Sequence, residues 1–309
     1  MILLCGIPSE SPVEKLSDEL DILGIPYLML NQRRFESASL DFDFSGGQIN
    51  GTLKYEEKEF DLSSFTGIYT RLIDWQQLPE IKKAKDAAAA RQHCRDLHDK
   101  LYQWIEITPA KVVNRSFAMA SNSSKPYQCQ IIREFGFSVP ETLITNCPEE
   151  VLAFQAKHGK IIYKSISGIR SIVQVLTKED EKNLSRIRNC PVQFQQFIDG
   201  FNVRVHVIGE EVIATCIDSD ATDYRYAARQ TGENAVLRPF DLPPDIAQRC
   251  INLTRHLQLS FSGIDLKFTP DGSICCFEVN PSPGYSYFEN NTQQPIAYTL
   301  ARYLSRSGR

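Results

Sequence analysis

Continuous apolar runs and helical stripes alternate from the first residue. Ile2 to Gly6 predicts a buried strand, Pro12 to about Leu23 has the apolar spacing of a helix that Gly24 stops, and Pro26 to Leu30 predicts a second strand. This opening is a βαβ unit of the parallel α/β type. Polar alternation around Phe42 to Phe44 and from Gln48 to Tyr55, with Gly46-Gly47 and Asn50-Gly51 as turns, predicts a small meander. Thr66 to Thr70 reads as a strand carrying Arg71 at its end. From about Lys82 to Ile107 the Ala-rich chain has helical spacing, with Leu97, Leu101 and Trp104 on one stripe, until Thr108-Pro109 ends it. Without a repeat or a low-complexity linker, any domain boundary is a compact one near Val112 to Ala120.

Beyond that point the pattern changes. Ser124 to Phe135 predicts a helix closed by Gly136, Ile161 to Lys164 and Ile172 to Leu176 predict strands around a Ser/Gly loop, and Val192 to Ile198 predicts another. Asn202 to Val207 and Glu211 to Ile217 form a hairpin, Asp245 to Leu257 a helix, and Pro295 to Leu304 a last helix. Antiparallel sheet with helices makes this part α+β.

The stretch SGIDLKFTPDGSICCFEVNPSPGY, from Ser262, carries candidate chemistry. Two apolar-rich runs flank Pro270-Asp271-Gly272-Ser273, and an Asp-Gly pair centred in a two-residue loop predicts a hairpin. That register sets Asp265 opposite Glu278. Alternation adds Asn280 to their face and puts Ile264, Leu266, Phe268, Cys275, Phe277 and Val279 on the other. Opposed carboxylates have Cβ atoms roughly 5 Å apart, and at an effective dielectric of about 20 they repel by about 3 kcal/mol. A hard divalent cation such as Mg²⁺, held by oxygen ligands, offsets that repulsion. The competing reading is a wet edge element with Lys267 as counter-charge. Asn280 and the rigid Pro281-Ser282-Pro283-Gly284 turn, which fix a third oxygen, favour the cation.

Composition narrows the classes. The 309 residues, 42% hydrophobic and 23% charged, suffice for two or three packed units of a globular protein. A formal net charge of -4 argues against nucleic-acid or anionic-membrane binding by bulk electrostatics. Nine cysteines without a CxxC pair fit a reduced, cytoplasmic setting, and neither a signal peptide nor a membrane-spanning run is expected. The histidines form no HExxH, no GxSxG elbow is present, and no cysteine has an activating context. Zinc chemistry and nucleophilic catalysis by the protein therefore find no support. His206, on a predicted strand, reads as a packed residue rather than a base.

Other residues stay open when taken singly. Lys164-Ser165-Ile166-Ser167-Gly168-Ile169-Arg170-Ser171 suits a phosphate-covering loop or a plain hairpin turn. Arg204 and Arg225 offer bidentate forks for a phosphoryl or carboxylate group, but surface arginines are common. Lys125 follows Asn122, Ser123 and Ser124, which also serve as ordinary helix caps.

Their order along the chain decides between these readings. Lys125, Lys164 with its loop, Gln195-Gln196-Phe197-Ile198, Asn202-Val203-Arg204, Asp223-Tyr224-Arg225, Asp265 and Glu278-Val279-Asn280-Pro281 together resemble the ATP-grasp ligases, from about Asn114 to the end. Ser282-Pro283-Gly284, Phe288-Glu289 and Pro295-Ile296-Ala297 are similar to the branch holding ribosomal-protein glutamate ligases. Tyr69-Thr70-Arg71, Ile217-Asp218-Ser219-Asp220 and Leu242-Pro243-Pro244 more closely resemble the microviridin-type peptide macrocyclases, or graspetide ligases.

The resemblance implies an α+β ATP-grasp fold, two α+β subdomains clamping ATP behind a small α/β N-terminal domain. The corresponding division is 1–112, 113–190 and 191–309, the last holding the metal site. Lys125 and Lys164 would bind the α- and β-phosphates under the Ser167-Gly168 loop, Gln195 to Ile198 would read the adenine edge, and Asn202 would face the ribose. The family often has acids at Gln196 and Asn202, so this chain departs from it there. Asp265, Glu278 and Asn280 would hold one or two Mg²⁺ ions, or Mn²⁺, while Arg204 and Arg225 steady the transferring group. The implied reaction joins a carboxylate to an amine or hydroxyl through an acyl phosphate and releases ADP. Its substrate would be a ribosomal peptide, with a small carboxylate or amino acid as the alternative; a homodimer is common for the family. An ATP-grasp kinase and a non-catalytic nucleotide-binding module are the more distant readings.

Overall fold

Alternate residues of the first strand serve two different cores. A computed structural model describes residues 1–84, 86–166, 173–219, 221, 230 and 232–306. Strands β1 (Ile2–Gly6), β2 (Tyr27–Asn31), β6 (Gly67–Thr70) and β7 (Lys111–Val113) form a parallel sheet in the order β2-β1-β6-β7. Ile2 and Leu4 pack with helix α1 (Ser11–Ile22) and the final helix α10 (Ile296–Ser305), whereas Leu3 and Cys5 pack with Leu97, Leu101 and Trp104 of α3 (Ala87–Ile107). Both faces are covered, which is why the strand reads as an unbroken apolar run.

The predicted meander is an antiparallel sheet of β3 (Ala38–Ser45), β4 (Gln48–Tyr55) and β5 (Lys58–Asp61). Gly46 and Gly47 make its first turn with φ of 60° and 77°, but Asn50-Gly51 lies inside β4. A Cβ on Gly51 would come 2.4 Å from the Asp41 carbonyl oxygen, so glycine there answers a close backbone approach rather than a turn. The predicted helix from Lys82 is likewise two: α2 (Pro79–Lys83) ends at an extended Ala84, and Asp86 starts α3 by accepting from the Ala88 and Ala89 amides at 3.0 Å.

After α4 (Ser116–Met119) and α5 (Lys125–Glu134), a second antiparallel sheet gathers β8 (Thr142–Thr145), β9 (Ile161–Ser165), β10 (Gln174–Val175) and β11 (Val192–Gln196) in the order β10-β9-β11-β8. Its core joins Phe194 and Ile161 to Val151 of α6 (Pro148–His158), and α7 (Lys178–Glu181) lies between β10 and β11 in the chain.

The largest sheet joins β12 (Phe201–Ile208), β13 (Glu211–Asp218), β14 (Val236–Pro239), β15 (Phe261–Phe268) and β16 (Ile274–Asn280), all antiparallel, in the order β14-β13-β12-β15-β16. Val203, Val205, Val207, Ile264 and Leu266 bury one face against α5 and α8 (Pro244–His256). The opposite alternation puts Asn202, Arg204, Asp265 and Glu278 on the other face. Helix α9 (Ser286–Thr292) follows β16, and its Phe288 joins the core shared with β1, α1 and α10. Among the described residues, no helix is long and apolar enough to cross a membrane.

Candidate active site

Asp265 of β15 stands directly opposite Glu278 of β16, the register read from the sequence, although the turn that leads there differs from the expected one. The loop spans Thr269 to Ser273. Gly272 donates to the Thr269 carbonyl at 3.0 Å with a φ of 81°, and Thr269 donates to the Ser273 carbonyl at 3.0 Å. Pairing therefore begins as Phe268 with Ile274 and Leu266 with Cys276, one residue out of the predicted register. A β-bulge then restores it before Glu278. In consequence Cys276, not Cys275 or Phe277, joins Ile264, Leu266 and Val279 in the core.

Each carboxylate has its own cation. Lys125, at the start of α5, places Nζ 2.9 Å from Oε2 of Glu278 and donates to Oδ1 of Asn122 at 2.6 Å. Arg204 of β12, opposite Asp265 in the sheet, donates from Nη1 to Oδ1 of Asp265 at 2.6 Å. Burial opposes the charge on Glu278, but the Lys125 ammonium, then Arg204 and Lys164, hold its carboxyl below the ordinary 4.5. Lys164 of β9 thus reaches Glu278 electrostatically from the other sheet. Asn280 lies two residues beyond Glu278, opposite Gly263, and its Oδ1 accepts from the Ser282 amide at 2.9 Å.

Two residues to which the sequence pattern gives no role at the site shape this centre. A Cβ on Gly263 would lie 2.5 Å from Nη2 of Arg204, so the guanidinium occupies the space that glycine leaves. Phe288 presents its ring 5.5 Å from the same guanidinium carbon. No sequence period signals either contact, since both join distant segments. His206 is the packed residue expected: wholly buried, it lies against Phe261 and Phe288, and burial, then the charge of Arg204, keep it neutral, well below its ordinary 6.5.

The segment expected to read adenine joins the sheet of β8 to β11 to the sheet of β12 to β16. Gln195 is buried and donates to the Thr142 hydroxyl at 3.0 Å, and the Gln196 amide donates to the Glu141 carbonyl at 2.9 Å. Lys267 donates to the Ile198 carbonyl at 3.2 Å, and Lys160 Nζ lies 3.6 Å from the centre of the Phe197 ring. Asn202 is half-buried, two residues before Arg204 on β12. Ser167, Gly168 and Arg225 lie outside the described residues.

The donor set fits a hard cation. Two carboxylates and the Asn280 amide offer oxygen only, and among the described residues no cluster of three His, Cys, Asp or Glu side chains competes for a metal. The profile of the RimK-like ATP-grasp domain matches residues 122–304. The chain belongs to the RimK-like ATP-grasp family. A protein of Alcanivorax borkumensis named a probable alpha-L-glutamate ligase is 24% identical over 208 residues, covering 64% of this chain and 68% of the relative. A Chryseobacterium gregarium RiPP-associated ATP-grasp ligase, solved with ADP and a leader and core peptide, has a TM-score of 0.81 at 23% identity over 100% of this chain and 97% of its own. The macrocyclase MdnC of Microcystis aeruginosa, solved with the precursor peptide MdnA, has a TM-score of 0.80 at 22% identity over 99% of this chain and 100% of its own. The expected ATP-grasp fold is the fold of this chain, which is an ATP-grasp ligase. Ligases of this family use ATP and Mg²⁺.

Proposed function

We propose that this ATP-grasp ligase macrocyclises a ribosomally made peptide. A side-chain carboxylate oxygen of the peptide attacks the γ-phosphorus of ATP, the bond from that phosphorus to the β-phosphate oxygen breaks, and ADP leaves. An amine or hydroxyl of the same peptide then attacks the acyl carbon of the acyl phosphate. Its proton is lost, inorganic phosphate departs, and an amide or ester closes the ring.

The opposed Asp265 and Glu278 with their paired cations carry the phosphoryl-transfer part of this reading. Asp265, Glu278 and Asn280 would hold one or two Mg²⁺ ions, and bound there the metal neutralises charge on the β- and γ-phosphates. Lys125 and Lys164 bind the α- and β-phosphates, Gln195 to Ile198 take the adenine edge, and Asn202 faces the ribose. Arg204, buried beside Asp265, steadies the transferring phosphoryl group and then the acyl phosphate, and Arg225 shares that work, while the Ser167-Gly168 loop covers the phosphates and keeps water from the acyl phosphate. Residues 1–112, 113–190 and 191–309 act as the N-terminal domain and the two halves of the clamp.

The peptide part is supported by likeness over the whole chain to ligases solved with precursor peptides, N-terminal sheet included, whereas the glutamate-ligase relative matches 64% of it. Incubation with ATP, Mg²⁺ and peptides rich in Thr, Ser, Glu and Asp, followed by mass spectrometry, tests it. Loss of one water per ring is expected. Gain of glutamate mass would move the assignment to amino-acid ligation, and ATP binding without turnover of any acceptor would move it to a nucleotide sensor.

A further inference from the structure

Asn280 ends an edge strand. β16 is the last strand of its sheet, so the outward N–H and C=O groups along it need partners from elsewhere. Ser138 serves the first part, donating to the Ile274 carbonyl at 3.0 Å and accepting from the Cys276 amide at 2.9 Å. At Val279 a side chain replaces a strand: Gln128 of α5, 1% exposed, donates from Nε2 to the Val279 carbonyl at 2.8 Å and accepts the Val279 amide on Oε1 at 3.0 Å. Asn114, 2% exposed, donates to the Pro281 carbonyl at 2.6 Å and to that of Phe261 at 2.7 Å. Arg71, at the end of β6, donates from Nη1 to the Ser282 hydroxyl at 3.0 Å and to the Pro283 carbonyl at 3.2 Å, while Glu10 accepts its Nε at 2.9 Å. Bonds from three separate segments thus bracket Asn280 on both sides.

We propose that Gln128, Asn114 and Arg71 are positioning residues that hold the backbone of 279–283 and thereby aim the Asn280 amide oxygen at the Asp265–Glu278 pair. This rests on the reading of Asn280 as a cation ligand. It also makes the N-terminal sheet, through Arg71, part of the cation site. None of the three side chains needs to touch the ion, because an amide ligand on a strand end is only as well placed as the backbone that carries it.

Mn²⁺ binding to the ADP-loaded full chain, followed by electron paramagnetic resonance, tests the inference in Gln128→Met, Arg71→Met and Asn280→Ala, singly and in pairs with Asn280→Ala. Each single variant is expected to weaken Mn²⁺ by about 10- to 100-fold while leaving ADP affinity without metal unchanged. In the pairs, Gln128→Met and Arg71→Met should add no further loss to that of Asn280→Ala. If both bind Mn²⁺ as wild type does while Asn280→Ala does not, the cradle is overturned and the cation reading stands. Losses that multiply in the pairs would overturn the cradle in the same way. If Asn280→Ala itself binds Mn²⁺ normally, the cation reading falls and the cradle falls with it. Should Gln128→Met fail to fold, Arg71→Lys carries the comparison, because it keeps the positive charge and loses the planar guanidinium that holds Glu10 through Nε and Nη2 while Nη1 bonds Ser282 and Pro283.

Discussion

Lys125 Nζ lies 2.9 Å from Oε2 of Glu278, so the ammonium we propose for a nucleotide phosphate is held by the carboxylate we propose for a metal. Arg204 and Asp265 repeat the arrangement at 2.6 Å. The four charges include two opposite-sign pairs, and on the proposed reading a cation taken up together with phosphate would exchange partners without leaving a like-charged pair exposed to its own repulsion.

Glu278→Gln keeps an amide oxygen where a carboxylate oxygen stood and removes one charge. Turnover of ATP with peptide, followed as ADP release, should fall by about 10²- to 10³-fold, with the fold kept and the thermal unfolding midpoint lowered only modestly by loss of the Lys125 pair. Undiminished turnover would remove Glu278 from the site.

Removing the two ends of the Arg204–Asp265 pair should have unequal effects on stability. Arg204 is 6% exposed in its side chain and Asp265 24%. Asp265→Ala takes the carboxylate away from a buried guanidinium and should cost about 3 kcal/mol in denaturant unfolding. Arg204→Met leaves a partly wet carboxylate and should cost less, yet it should abolish turnover. Equal stability losses would contradict the buried-cation argument.

Gly263→Ala tests the space beneath the guanidinium. A methyl 2.5 Å from Nη2 of Arg204 must displace it, so kcat should drop by at least about tenfold, equivalent to about 1.4 kcal/mol, while the KM for ATP changes little. A kinetic profile like that of wild type would show that Arg204 tolerates the shift.

Acid should act through Glu278. Its folded-state carboxyl sits below the ordinary 4.5, so its ionised form contributes stability above that value, and the contribution disappears as pH falls through the lower folded value. Wild type should therefore lose more stability than Glu278→Gln as pH drops below about 4.5, the ordinary glutamate value. Parallel acid-unfolding curves for the two proteins would refute this.

Local pattern reached far into this molecule, and it stopped at identifiable places. The βαβ opening, the β12–β13 hairpin and the opposed acids were legible because strand alternation and turn residues act between near neighbours. β8, with four residues, and β14, which ends on Pro239 at a sheet edge, are too short to show a period. The bulge before Glu278 was invisible, and the predicted register at the acids held only because it cancels the one-residue offset of the Thr269–Ser273 loop.

By itself the sequence determined which residue types line the site and which strand face carries them, since side-chain direction repeats every second residue along a strand. Tertiary structure alone decided what holds them: Gly263 beneath Arg204, Gln128 against Val279 across 151 residues, and Arg71 on Ser282 across 211. Hydrogen bonds between segments so distant leave no period in the chain. Their partners are chosen when sheets and helices pack and buried backbone groups take the nearest donor or acceptor.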